Sequence, residues 1–320
     1  MTDFAERYKK NEREELFLKK FNSTLAGLEK EYIADQRLSD RPVIFVCGAP
    51  RSGTTLLTQV LAGTGLFNYI DNFTARFWRA PFIGLKIEKI LGLRNLHGST
   101  GFSFTSDFGR TSGITGPHEF AYFWEHWLKP ETSHHVIPVS HLKKIDIDGL
   151  RNEIQAILSL YNKPLFFKSI WFLSNPLLAY RLFTNVYFIF ITRDLLSNAL
   201  SILNARVKYL GDENKWFSVL PLNYSELKGK PVEVQALGQI KSINDEINKQ
   251  AEDFPEKVIR ITYEELCGNP VDTILKISDY IGIKDIDIHS VRQKLPSSFT
   301  LKNMPDSSEA LKRFKDASRA

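Results

Sequence analysis

One arginine, two glycines and two threonines fall together in Gly48-Ala49-Pro50-Arg51-Ser52-Gly53-Thr54-Thr55. These residue types at this spacing suit the binding of an anion. The apolar run Val43-Ile44-Phe45-Val46-Cys47 precedes them, and a helical pattern (Leu56, Leu57, Val60, Leu61) follows. A strand, a glycine turn and a helix start aim successive backbone N–H groups at one point, where the helix dipole adds positive potential. Gly48 and Gly53 have the spacing of the phosphate-binding loop G-x-x-x-x-G-K-[ST]. Thr54 stands where that pattern has lysine, and Thr55 where it has the magnesium-binding hydroxyl. The nearby cation is Arg51. Phosphoryl transfer from a nucleoside triphosphate is thereby disfavoured, and a cradle for an anion of lower charge remains.

Further chain segments end in residues able to do chemistry. Pro164–Ser169 reads as a short strand ending in the cation Lys168. Val186–Thr192 is the continuous apolar run of a buried parallel strand. It ends at Arg193-Asp194, at the carboxyl end where open α/β sheets bind ligands. A helix over Leu195–Val207 places Ser201 roughly two turns along, able to face the same pocket; Ser197, one turn earlier, could substitute. Pro117–Leu128 reads as a helix with proline in its first turn. Glu119 falls in that turn and is a candidate general base, although the helix dipole would lower its pKa. His118 and Glu125 are its rivals.

Pro50-Arg51-Ser52-Gly53-Thr54-Thr55-Leu56 resembles the 5′-phosphosulfate loop of sulfotransferases that use 3′-phosphoadenosine 5′-phosphosulfate (PAPS), above all the tyrosylprotein and many bacterial and carbohydrate enzymes. Arg193 and Ser201 match the arginine and serine that hold the 3′-phosphate in that family. Lys168 is placed like an active-site lysine of tyrosylprotein sulfotransferases, with Ile170 where the family often has proline. Tyr263-Glu264-Glu265-Leu266 resembles the family's Y-E-x-L segment. The resemblance spans roughly 43–282. It implies an α/β fold of the P-loop nucleotide-hydrolase-like sulfotransferase type, a parallel sheet flanked by helices with helical insertions. It also implies an enzyme that moves a sulfuryl group from PAPS to a hydroxyl or amine of a carbohydrate, small molecule or peptide. Arg51, Ser52, Gly53, Thr54, Thr55, Arg193 and Ser201 would bind the nucleotide. Tyr263 and Lys302 are further candidates for nucleotide binding, and Glu264 either lines the adenosine site with Tyr263 or caps its turn. Arg51, Lys168 and Glu119, with His118 as rival base, would act in catalysis. The sulfuryl group carries less charge than a γ-phosphoryl group, so no metal is required. The competing readings are a nucleotide kinase with a degenerate loop and an inactive nucleotide-binding scaffold.

The elements that must position these residues are legible to different degrees. The expectation is a single domain over 1–320, with an N-terminal helix in 1–40, an acceptor-side insertion over 66–162 and a C-terminal tail over 296–320. Residues 4–37 read as a helix, with Phe17, Phe21, Leu25, Leu28 and Tyr32 on one face. Residues 68–79 alternate aromatics with polar groups. They read as a helix packed on the sheet, or as an acceptor wall in which Arg76 or Arg79 meets an acidic or sugar-like substrate. Residues 95–116 have the composition of a functional loop or lid. Glu233–Phe254 reads as a helix and Val258–Thr262 as the last strand.

The 320 residues have 43% apolar content, enough for a substantial core, and a net charge of +5. That excess suits anionic ligands and is too small for a nucleic-acid-coating protein. Two cysteines, Cys47 and Cys267, do not make a disulfide framework. The histidines, His134-His135 included, lack metal-ligand spacing. The charged N-terminus lacks the apolar core of a signal peptide, and no apolar run approaches the length of a membrane span. The expectation is a cytoplasmic, bacterial protein.

Overall fold

The computed structural model describes residues 10–94, 104, 106–107, 110–130, 137–302 and 309–317. Its strands are β1 (Val43–Cys47), β2 (Asn68–Tyr69), β3 (Ser106–Asp107), β4 (Arg110–Thr111), β5 (Leu165–Phe167), β6 (Val186–Thr192) and β7 (Val258–Thr262). Its helices begin with α1 (Glu12–Ala34), α2 (Thr54–Thr64), α3 (Pro81–Leu91), α4 (Ala121–Leu128), α5 (Ile147–Tyr161), α6 (Pro176–Leu182) and α7 (Leu195–Leu210). They continue with α8 (Tyr224–Leu227), α9 (Val232–Ala251), α10 (Tyr263–Gly268), α11 (Pro270–Ile281), α12 (Ile288–Lys294) and α13 (Glu309–Ala317).

β1 occupies the middle of a parallel sheet of order β2-β5-β1-β6-β7. Every residue of β1 is buried, which is why its sequence is an unbroken apolar run. Val43, Phe45 and Cys47 face one layer, together with α4, α5, α6, α7 and α9. Ile44 and Val46 face the other, with α2, α11 and α12. This is the expected parallel sheet flanked by helices. Because β5 and β6 both flank β1, the strand order reverses at β1. The crevice beyond its carboxyl end is where such sheets take ligands.

Several sequence expectations are corrected. Residues 68–79 begin as strand β2 and continue as a 3₁₀ helix, Thr74–Phe77, rather than one α-helix. A backbone bond from Tyr69 and Asn68 to β5 competes successfully with helix formation there. The helix expected from Pro117 starts only at Ala121. Pro117 bridges Asp71, and the His118 N–H donates to the Ile70 carbonyl at 2.8 Å, so this segment is tied to the chain after β2. Phe120 then turns with a left-handed φ of 56°. Glu119 therefore precedes the helix instead of lying in its first turn.

α1 is shorter than expected, and residues 4–9 of the expected helix lie outside the described residues. Only part of its apolar stripe packs: the Phe21 ring lies 5.4 Å from that of Phe77 and Leu18 packs on the core, whereas Phe17 is 64% exposed and Leu28 and Tyr32 are also exposed. Two polar side chains add to the docking. Buried Asn22 donates to the Arg76 carbonyl at 2.8 Å and accepts from the Arg79 N–H at 2.9 Å. Buried Glu29 accepts from the Phe82 and Ile83 N–H groups, which are otherwise orphaned at the start of α3. Residues 95–103, 105 and 108–109 of the expected loop, and His134-His135, lie outside the described residues; β3 and β4 form a short antiparallel pair in that region. α13 in the tail was not foreseen; it buries Phe314 and pairs Arg313 with Glu233 at 2.5 Å. No helix among the described residues is long and apolar enough to cross a membrane.

Two buried carboxyls couple this helical layer to pH. Burial, the main cause in both, raises Glu29 to about 7 and Glu153 to about 8, and the two repel one another. In the unfolded chain both ionise near the ordinary carboxyl value. Between that value and about pH 8 the folded state holds protons that the unfolded state has lost, so stability falls as pH rises through this window. Glu153→Gln retains an acceptor for the Trp127 indole N–H, bonded at 2.7 Å. It is expected to raise the melting temperature by a few °C at pH 8, with the gain fading toward pH 5. Melting curves across that range provide the check; a gain independent of pH would show that ionisation is not its source.

Candidate active site

The turn after β1 is built from residues in rare backbone conformations. Gly48 and Gly53 have φ of 153° and 106°, and Arg51 has φ of 67°. A Cβ on Gly48 would stand 2.4 Å from the Ile191 carbonyl, and one on Gly53 2.5 Å from the Tyr263 ring. Glycine is needed at both positions. For Arg51 the left-handed conformation costs energy and persists because its surroundings fix it. The Asn198 amide donates to the Pro50 carbonyl at 2.7 Å, and Arg193 Nη1 donates to the Arg51 carbonyl at 3.3 Å. These two bonds fix the Pro50 and Arg51 carbonyls. α2 then starts at Thr54 with Gly53 as N-cap and no capping side chain. Its first N–H groups and its dipole are left facing the crevice.

Four cations or donors reach this crevice from the carboxyl ends of four adjacent strands. Lys168 follows β5, Arg51 follows β1, Arg193 follows β6 and Tyr263 follows β7. All four line one cleft of about 1720 Å³, together with Gly53, Thr54, Thr55, His118, Glu119, Ser201 and Lys302. Arg51 Nε donates to Ser201 Oγ at 3.2 Å across 150 residues of sequence. The Arg193 guanidinium lies 4.5 Å over the Tyr263 ring and also donates to the Lys302 carbonyl, while its buried Nε has no hydrogen-bond partner among the described residues.

Lys168, only 9% exposed, forms an ion pair with Glu119. The two residues lie 49 apart in sequence. The helix after Glu119 is fixed by Trp124, whose ring is 4.7 Å from Phe172 and 5.0 Å from Phe167. Phe167 is the last residue of β5, so the same core contact sets the position of both partners.

His118 faces the cleft, yet the surrounding walls are close enough for desolvation to lower its pKa to about 4. Glu119 opposes that shift, while Arg76, Lys10 and Lys168 add to it. The ring is therefore neutral at pH 7. Its Nδ1 accepts from the Phe120 N–H at 2.9 Å, which leaves the proton on Nε2.

Other expected residues are placed differently. Ser52 is buried behind the turn, does not line the cleft, and its Oγ has no hydrogen-bond partner among the described residues. Ser197 lines the cleft, but its hydroxyl is held at 2.5 Å by Asp194, which caps α7. Glu264 accepts from the Asp194 N–H at 3.1 Å and is not among the lining residues. Glu125 is exposed on α4, also outside the cleft lining. Arg76 lines the cleft and Arg79 does not. Sequence reasoning missed the second aromatic wall, Trp216 and Phe217 in the segment after α7. Buried Arg206 fixes that segment, donating to the Glu213 carbonyl at 3.2 Å and lying 4.9 Å from the Trp216 ring. Only the apolar pair inside a polar connection hinted at it. No group of three or more His, Cys, Asp or Glu suited to a metal ion occurs among the described residues.

The fold is similar to that of solved sulfotransferases. The sulfotransferase STF9 from Mycobacterium avium aligns with a TM-score of 0.54 and 14% identity, over 92% of this chain and 78% of that one. The sulfotransferase STF1 from Mycobacterium tuberculosis aligns with a TM-score of 0.52 and 14% identity, over 96% and 85%. At such identity the likeness shows the fold alone. No curated protein matches the sequence closely enough to count as a relative. The family model described as "Sulfotransferase family" matches residues 42–287, which include the turn after β1, Glu119, Lys168, Arg193 and Ser201. The chain belongs to the sulfotransferase family.

Proposed function

We propose that this protein transfers a sulfuryl group from PAPS to a hydroxyl or amine acceptor, acting as one domain whose 66–162 segment supplies the acceptor side. The observation that carries this reading is the row of Lys168, Arg51 and Arg193 at adjacent strand ends around an uncapped helix start. The site chemistry fits the donor: it offers several cations and the uncapped start of α2 for a nucleotide with two phosphate positions. PAPS supplies the sulfuryl group when bound.

Each residue then has a role. Arg193 and Ser201 take the 3′-phosphate. Gly53, Thr54 and Thr55 take the 5′-phosphate through N–H and hydroxyl groups, and Tyr263 and Lys302 close over the nucleotide. Ser52 is better assigned to loop structure than to ligand contact. The acceptor oxygen bonds to sulfur as the bond from sulfur to the 5′-phosphate oxygen breaks, and the electron pair leaves with that oxygen. Arg51 and Lys168 stabilise the charge arriving there. Sulfuryl transfer has a loose transition state like phosphoryl transfer, so positioning and charge stabilisation dominate. Glu119 takes the acceptor proton. His118 is unsuited to that task, because its Nδ1 lone pair is engaged and Nε2 already carries the proton. The charge to be stabilised is small enough for these side chains to serve without a metal.

Calorimetry with 3′-phosphoadenosine 5′-phosphate and turnover with sulfur-labelled PAPS test the reading. Micromolar binding and label transfer to an acceptor pool are expected. Magnesium-dependent ATP consumption with indifference to PAPS would establish the kinase instead. Nucleotide binding with no transfer to any acceptor would establish an inactive scaffold.

A further inference from the structure

The cleft has a second half, and its lining bears on the acceptor; this inference rests on the sulfotransferase reading above. At about 1720 Å³ the cleft exceeds what one drug-sized ligand fills, so a nucleotide leaves room for an extended acceptor. The bridge between Asp71 and Pro117 brings the chain after β2 beside His118 and Glu119. The apolar side chains lining the cleft include Ile70, Phe73, Trp78, Tyr122, Ile170 and Leu173. The rings of Trp78 and Tyr122 lie 4.8 Å apart. A sugar would need a set of free amides and carboxylates in such a wall. Of the amides lining the cleft, Asn72 is committed, donating to the Gly113 carbonyl at 2.7 Å and the Thr111 carbonyl at 3.3 Å, and Asn11 accepts from the Arg13 and Glu14 N–H groups at the start of α1.

The charged groups on this wall are not equivalent. Lys10 sits 3.9 Å from Glu15 and bonds the Tyr122 hydroxyl. Lys168 is paired with Glu119. Arg76 is held by its backbone: its carbonyl accepts from Asn22 at 2.8 Å and its N–H donates to the Phe73 carbonyl at 3.0 Å. Its side chain is exposed in the cleft, and among the described residues no carboxylate forms an ion pair with it. Glu14 lines the cleft from α1 without pairing to it. Arg79, three residues on, is turned toward α1 and Ser23, 3.5 Å away. One cation thus faces an apolar wall beside the Lys168–Glu119 pair.

We propose that the acceptor is an apolar molecule, aliphatic or aromatic, bearing a hydroxyl to be sulfated and a separate carboxylate or similar anion, and that Arg76 binds that anion. A guanidinium takes a carboxylate through two parallel hydrogen bonds, which a methyl ester cannot reproduce. The apolar body meanwhile displaces water from the aromatic wall.

The test offers the 320-residue chain, with labelled PAPS, a panel of hydroxylated fatty acids and phenolic acids beside their methyl esters. The acids are expected to exceed their esters at least about tenfold in kcat/KM, the factor of one charge-assisted contact. Arg76→Ala should bring the acids to the level of the esters, and Arg76→Lys should keep part of the preference. Equal treatment of acid and ester, a preference that survives Arg76→Ala, or modification of neither class would overturn the inference. Calorimetry with 3′-phosphoadenosine 5′-phosphate separates the two levels. Failure to bind the nucleotide overturns the sulfotransferase reading itself, whereas normal binding without acid preference overturns only the assignment of Arg76.

Discussion

Glu119→Gln is expected to lower sulfuryl-transfer turnover by about 10²–10⁴-fold, the usual contribution of a positioned general base. The acceptor hydroxyl must lose its proton as its bond to sulfur forms. Glu119 lines the cleft and is held there by Lys168, which is itself proposed to act on the leaving oxygen. Base and charge stabiliser are thus one hydrogen-bonded unit, with the reacting centre expected beside it. Glutamine keeps the size and an acceptor oxygen for the Lys168 ammonium, so Lys168 is not left buried without a partner. Melting temperature and nucleotide affinity should change little. Glu119 precedes α4, one residue before its N-cap Phe120. Turnover, nucleotide calorimetry and melting of the variant together give the check. Near-normal turnover in Glu119→Gln, with a large loss in His118→Ala or Glu125→Gln, would move the role to one of those residues.

Arg193→Ala is expected to weaken 3′-phosphoadenosine 5′-phosphate binding by about 2–5 kcal/mol, the cost of removing one partner of a charge-assisted pair. That is roughly 30-fold to several thousand-fold in Kd. Part of the loss has another source, since Arg193 also holds the Arg51 carbonyl and so the shape of the turn. Adenosine 5′-phosphate, which lacks the 3′-phosphate, separates the two contributions. If Arg193 binds the 3′-phosphate, the wild type should prefer the bisphosphate strongly and the variant should lose most of that preference. An equal loss for both nucleotides would assign Arg193 to positioning the turn alone.

The parts of this site that the sequence determined are those whose causes are local. The turn after β1 needs glycine where a Cβ would strike Ile191 or Tyr263, and glycine's spacing marks it whatever surrounds it. The buried strands β1 and β6 are apolar on both faces, so Arg193 at the end of one is visible as a break in a run. Ser201 follows from helix geometry once α7 is placed. These residues lie within one strand–turn–helix unit each, and short-range hydrogen bonding and periodicity encode them. The family resemblance rested on the same units, and the family match bears it out.

Tertiary structure alone decided how the units meet. Strand order places Lys168, Arg51, Arg193 and Tyr263 side by side, although their sequence order is Arg51, Lys168, Arg193, Tyr263. A parallel strand's own residues do not specify its neighbours; the packing of helices on both faces does. The Lys168–Glu119 pair depends on Trp124 meeting Phe167 and Phe172, contacts between segments more than 40 residues apart. The start of α4 was misread because Pro117 can open a helix equally well, and only the bridge to Asp71 forbids it. The docking of α1 was legible only in part, because periodicity counts apolar residues such as Phe21, whereas this helix is also anchored by buried Asn22 and Glu29, which satisfy backbone groups of other elements. The separation of Arg76 from Arg79 has the same origin: the 3₁₀ turn and the amide of Asn22 send one guanidinium into the cleft and the other toward α1.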